Sequence, residues 1–243
     1  MGRHRLKDPI LRARKLNGRG VLPVVVFDVD STLLDTNRRN LRILREFAAE
    51  HGSRFAGLAD AVDGLVASDM GYDARDTLRA RGFVDPALLG QLFTWWYERF
   101  FSDEYVREDE PAPGAAEYVG ACHRSGAHIY YLTARHVGGM EWGTARSLVR
   151  HGFPLFQPRC TLHMKPSFKM RDSEFKDEAL AGIRSQQGEV VAFFENEPSH
   201  ANRLLEELPK AMGFLRLSVR SSTAVEPDAR LVEFRDFLRE GPR

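Results

Sequence analysis

The stretch VVVFDVDSTLLDT, residues 24–36, sets two aspartates, Asp28 and Asp30, one residue apart directly behind four apolar positions. If the chain stays extended over that step, both side chains point to the same side. Two carboxylates that close repel each other, so either a cation shares them or one holds a proton. Both states suit phosphoryl transfer. One acid attacks phosphorus as a nucleophile, the other moves a proton at the leaving oxygen, and a hard, oxygen-seeking ion such as Mg²⁺ neutralises the phosphate. A solvated Asp, Ser and Thr turn is common after strands of any function, so the pair needs support from elsewhere in the chain.

Three later stretches supply it. In YYLTAR, Thr133 follows an apolar run and can offer a hydroxyl and a backbone amide to a phosphate oxygen. Lys165 in HMKP and Lys176 in EFKDEAL each offer a cation that could bind phosphate and keep a nucleophilic carboxylate ionised. In VVAFFENEPSHAN, Glu195, Asn196 and Glu197 follow another apolar run, where acids could complete an oxygen shell around a metal or, with Ser199, cap the next helix.

These residues serve one site only if secondary structure gathers them. Five apolar runs, at 21–27, 128–133, 161–164, 190–194 and 214–219, read as strands, and most are continuous rather than alternating, as in strands covered on both faces. Helical periodicity lies between them. Ala115, Tyr118, Val119 and Cys122 share a face, as do Phe175, Ala179 and Ile183, and Ala201, Leu204, Leu205 and Leu208. Right-handed crossovers then predict a doubly wound, three-layer α/β fold with ligands at the carboxyl ends of a parallel sheet. Roughly eighty residues separate the first strand from the helix opening at PAPGAAEYV, far more than one crossover requires. That segment carries helical stripes, among them DPALLGQLFTWWYERFF with Asp85 as cap and Pro86 in the first turn, and no strand signal. The division expected is an N-terminal arm over 1–20, ordered only by contact, an α/β core over 21–34 and 111–243, and an all-helical insert over 35–110.

The order DVDST, LTAR, a lysine, then an acid cluster after a strand resembles the haloacid dehalogenase-like (HAD) hydrolase superfamily, over roughly 20–35 and 110–220. The resemblance implies a Rossmann-like core and a helical cap of the C1 type. It also implies an aspartyl-phosphate mechanism with Mg²⁺ as cofactor. Carried over by position, Asp28 is the nucleophile and Asp30 the general acid and then base, with its carbonyl also on the metal. Thr133 orients the phosphate, and Ser31, Thr32, Ala134 and Arg135 line it. Lys176 matches the acid phosphatase branch and Lys165 with Pro166 the small-molecule phosphatases; Lys176 is preferred. Glu195 and Asn196 stand where the family usually has two aspartates or Gly-Asp, so the metal set implied is Asp28, Asp30, Glu195 and Asn196, with weaker affinity. The dehalogenase branch lacks the second acid, so Asp30 favours phosphatase chemistry on a small phosphate monoester. A phosphotransferase or mutase with the same nucleophile, and a binding protein without turnover, are the alternatives.

Composition narrows the partners. With 35 basic and 34 acidic residues the formal net charge is +1, so no global field demands nucleic acid or an anionic membrane. No distinctive basic groove with interleaved aromatics appears, and no apolar run is long enough to span a bilayer. A soluble, cytoplasmic protein acting on a small phosphorylated metabolite is the expectation, with nothing to fix its oligomeric state. Cys122 and Cys160 are the only cysteines, which argues against a disulfide framework. In the insert, Trp95, Arg75, Arg79 and Arg81 could face a substrate, but packing for the tryptophan and a solvated helix face for the arginines are at least as well supported. The histidines show no metal-ligand spacing.

Overall fold

The computed structural model describes residues 5–185, 188–221 and 224–238. In chain order, β1 (Pro23–Asp28) is followed by the two-residue strands β2 (Leu34–Asp35) and β3 (Glu110–Pro111), then by β4 (His128–His136), β5 (Cys160–Lys165), β6 (Glu189–Glu195), β7 (Met212–Arg216) and β8 (Val232–Phe234). Six of these form one parallel sheet in the order β5-β4-β1-β6-β7-β8. β1 is central and buried along its whole length. Val25 and Phe27 pack into one hydrophobic cluster and Val24 and Val26 into another, because successive side chains leave opposite faces of a strand. The uninterrupted apolar run of the sequence is thus the signature of a strand covered twice.

Helices supply both covers. One face meets α1 (Lys7–Asn17), α7 (Ala115–Arg124) and α8 (Val137–Arg150) through Ala13, Tyr118, Val119 and Leu148, with Phe237 from the C-terminal segment. The other meets α9 (Asp172–Arg184) and α10 (Pro198–Glu207) through Phe175, Ala179, Ile183 and Leu204. The result is the three-layer α/β architecture that the strand and helix pattern predicts. Two details differ. β8, a sixth strand, was not expected, since its three residues Val232, Glu233 and Phe234 are too few to show a period. Residues 7–17 are a helix whose Pro9 and Ala13 are buried, and α1 packs on β1 and α7.

Between β2 and β3 the chain forms only helices: α2 (Asn37–His51), α3 (Leu58–Asp63), α4 (Ala74–Ala80), α5 (Pro86–Phe100) and α6 (Asp103–Val106), with two short 3-10 turns. They gather their own cluster around Phe47, Leu58, Leu78, Leu92 and Trp96. α5 starts where sequence predicts, with the Asp85 side chain accepting the Ala87 N–H and Pro86 in the first turn. The segment leaves and rejoins the core through the antiparallel pair Leu34 with Pro111 and Asp35 with Glu110, a two-residue ladder that narrows its base.

Candidate active site

Strand ends bring the chemistry together. Asp28 is the last residue of β1, Thr133 lies near the end of β4, and Glu195 is the last residue of β6, so all three stand at the carboxyl edge of adjacent strands. Lys176 comes from the second turn of α9, where Phe175 anchors the helix in the core and turns its neighbour toward the edge. The Lys176 ammonium donates to Asp28 Oδ1 at 3.2 Å, to Glu195 Oε2 at 2.6 Å, and lies 3.0 Å from His200 Nδ1. An ammonium has three N–H donors, and three acceptors meet them. The second oxygen of Asp28, Oδ2, accepts the Thr32 hydroxyl at 2.9 Å.

Burial and the charges of Glu195 and Asp30 push the Asp28 carboxyl up to about 8, against the opposing pull of Lys176 and Thr32. Burial would lower Lys176, yet Asp28 and Glu195 outweigh it and hold the ammonium above its ordinary range. Burial would likewise raise Glu195, but Lys176 and His200 keep it below the usual carboxylate value. Two buried carboxyl groups therefore share one lysine, which keeps Glu195 ionised while Asp28 is driven toward its protonated form.

Asp30 sits in a different environment. Arg135 grips it with two parallel bonds, Nε to Oδ2 at 2.8 Å and Nη2 to Oδ1 at 2.9 Å. The Arg39 guanidinium adds a contact at 3.5 Å, and the Thr133 hydroxyl one at 3.4 Å. Burial opposes ionisation here, but Arg135 and Arg39 prevail and depress the Asp30 carboxyl. Both arginines also pair with Asp109, whose side chain is fully buried. Arg135, expected among the phosphate contacts, instead spends its guanidinium on Asp30, Asp109 and the Thr144 hydroxyl, with a side chain 1% exposed.

Oxygen donors gather beside Asp28. The Thr32 hydroxyl lies 2.9 Å from Asp28 Oδ2 and 3.4 Å from Asn196 Oδ1, so the two oxygens stand on either side of one side chain. The Asn196 amide is fixed from behind, Nδ2 donating to the Val219 carbonyl at 2.8 Å. Glu195 commits Oε2 to Lys176 and Oε1 to the backbone N–H groups of Asn196 and Glu197. Among the described residues no group of three His, Cys, Asp or Glu side chains converges as a metal cage. The remaining donors, the Asp28 carboxylate and the Asn196 amide oxygen, are both hard oxygens. Mg²⁺ commonly keeps several waters and takes one or two carboxylates, so a carboxylate with a neighbouring amide oxygen fits that ion.

Lys165 ends β5 and donates to Asp172 Oδ1 at 2.6 Å; it is Lys176 that reaches Asp28. Ser31 occupies the left-handed backbone region, φ 58°, in the turn after β1, where its carbonyl accepts Arg216 and the Ser218 hydroxyl. Ala134 is half-buried on β4. In the helical segment, Trp96 is buried and donates to Asn40, while Trp95 packs against Phe47 and His51 under the Arg99 guanidinium. Arg75, Arg79 and Arg81 pair with Asp73, Asp76 and Asp69, as a solvated helix face would.

Sequence reasoning missed Arg39, Asp109 and His200. An arginine inside NRRNLRILREF reads as a solvated helix position, and only the tertiary pairing with Asp109 shows it buried. His200 follows the acid cluster by three residues, a spacing that could have flagged it.

No family model matches the chain, and no curated protein matches it. Solved structures do. A Clostridium difficile protein provisionally named a phosphatase aligns with a TM-score of 0.59 at 13% identity, over 88% of this chain and 95% of its own. A haloacid dehalogenase-like family hydrolase from Streptococcus pneumoniae gives 0.54 at 11% identity, over 89% and 95%. A HAD family hydrolase from Deinococcus radiodurans, solved with bound phosphate and sodium, gives 0.50 at 16% identity, over 88% and 91%. At such identities the likeness is one of fold.

Proposed function

We propose that this chain, whose fold is that of the haloacid dehalogenase-like hydrolases, is a Mg²⁺-dependent phosphatase acting on a small phosphate monoester through a phospho-Asp28 intermediate. The observation that carries this reading is a buried Asp28 at a central strand end, bonded by Lys176 and Thr32, with a second acid two residues on.

In the first step an Asp28 carboxylate oxygen attacks phosphorus and the ester oxygen departs with the bonding pair. Lys176 holds the nucleophile in place and offsets charge on the transferring group, and the Thr133 hydroxyl orients it. In the second step water attacks phosphorus of the acyl phosphate, Asp30 takes its proton, and the Asp28 carboxylate leaves. The arginine grip that keeps Asp30 ionised suits it to this role as base. Esters whose leaving oxygen is weakly basic depart without needing a proton from Asp30, so aryl phosphates are the substrates of choice for assay. Mg²⁺, when bound by Asp28, the Asn196 amide oxygen and the Asp30 carbonyl, supplies Lewis-acid neutralisation of the phosphate. The helices of 35–110 serve as a cap of the C1 type over this edge, and the protein acts in the cytoplasm.

The test is phosphate release from phenyl phosphate with Mg²⁺. Wild type turns it over, chelation stops it, and Asp28→Asn is inactive; turnover by that variant at the wild-type rate rejects the assignment.

A further inference from the structure

Lys165 is left unused by the chemistry at Asp28, and its surroundings are unlike those of a surface lysine. It ends β5, two strands from β1 in the sheet order, so its backbone stands about 10 Å from the line of Asp28 along the same edge. Its side chain is 7% exposed, while the carboxylate it bonds at 2.6 Å, Asp172, is 53% exposed. The lysine of the pair is buried and its carboxylate partner faces solvent. Among the described residues Asp172 is the one acceptor bonded to this ammonium, which has three donors.

The flanking wall is aromatic. The Lys165 ammonium lies 5.5 Å from the Phe168 ring centroid, and the His136 ring packs edge-on against Phe168 at 5.0 Å. Tyr97 and Phe101, at the C-terminal end of α5, close on Phe168 from the helical segment. Tyr72, half exposed ahead of α4, lies within electrostatic reach of Glu197, Asp172 and Asp30. Its loop is braced by Thr77, which accepts the Gly71 N–H, and by Asp73, which caps α4.

We infer that Lys165 and Phe168 form a leaving-group subsite, selecting phosphate esters that carry a second anion, carboxylate or phosphate, across a planar spacer. The second anion replaces Asp172 on the Lys165 ammonium while the spacer lies against Phe168. The inference rests on the reading of Asp28 as the phosphate site.

Calorimetry with two non-hydrolysable probes, in the presence of Mg²⁺, tests it independently of turnover. Wild type binds 4-phosphonobenzoate roughly ten- to a hundredfold more tightly than phenylphosphonate, the worth of one charge-assisted bond. Lys165→Met collapses that ratio, Lys165→Arg keeps it, and Asp172→Asn widens it by removing the internal competitor. A ratio unchanged in Lys165→Met, or not raised in Asp172→Asn, overturns the subsite, and the second variant decides the matter should the first fail to fold. Adding 1,4-phenylenebisphosphonate separates the two anions: the tighter of the two second groups names the class. Phenyl phosphate hydrolysis by wild type reports on the parent reading alone, so failure there with a lysine-dependent ratio intact rejects only the phosphatase.

Discussion

At the scale of single residues, the site consists of two charge groups with opposite settings. Asp28 shares one lysine with Glu195 and is driven toward its protonated form, whereas Asp30 faces two guanidiniums and is kept ionised. The second group extends below the site to Asp109, which both Arg39 and Arg135 engage with side chains 0% and 1% exposed. Removing one member of a buried ion network leaves uncompensated charge, so Asp109→Ala should lose about 3–5 kcal/mol of stability. Urea denaturation checks this, and a loss under about 1 kcal/mol, as for an exposed pair, contradicts it. Asp28, Thr133 and Glu195 were legible because each closes an apolar run that had to end at one sheet edge, and Lys176 because it lies near the start of the helix that leads into one of those strands. Arg39 and Asp109 were not, since a buried ion pair between distant segments leaves no local period in either.

At the scale of elements, backbone geometry at particular glycines sets what can be changed. Gly114 opens α7 with φ +76°, and a Cβ there would meet the Phe237 carbonyl carbon at 2.8 Å and the Leu238 nitrogen at 2.9 Å. Both atoms are backbone and cannot swing aside, so Gly114→Ala should cost more than about 1 kcal/mol. Gly90, inside α5, has nothing within 4 Å of an added Cβ. Gly90→Ala should stabilise by about 0.5–1 kcal/mol through helix propensity alone. Thermal melts of the pair check both signs, and a matching shift in the two would reject the argument. The PAPG turn before α7 was readable as a helix start. Its close approach to the C-terminal segment was not, because β8 and Phe237 lie in a polar stretch whose few apolar residues show no period.

At the scale of the whole molecule, two hydrophobic clusters sandwich one parallel sheet, and a third holds the helical segment. The layers and the parallel sheet followed from continuous apolar runs; the strand order did not, since adjacency of β5 to β4 is fixed by packing rather than by any residue pattern. Sealing the layers also buries titratable groups. His163, bonded to the Tyr130 hydroxyl at 2.6 Å, is lowered from its ordinary value of 6.5 by desolvation. Below pH 6.5 the unfolded chain takes up a proton at this position that the folded chain refuses. Its contribution to stability is therefore fully present above that pH and is lost as pH falls toward the folded value. Asp28, raised to about 8, works in the opposite direction, so the effect must be read as a difference. Relative to His163→Gln, wild type should lose stability in urea as pH drops from neutrality to mildly acidic values, and a constant difference contradicts the burial argument.

The central claim is that phosphate passes through Asp28. Wild-type protein turning over phenyl phosphate with Mg²⁺, quenched in acid and digested, should carry a phosphoryl group on the peptide containing Asp28, and Asp28→Asn should carry none and release no phosphate. Turnover without a phosphorylated Asp28 peptide, or with the label on another residue, would contradict the account.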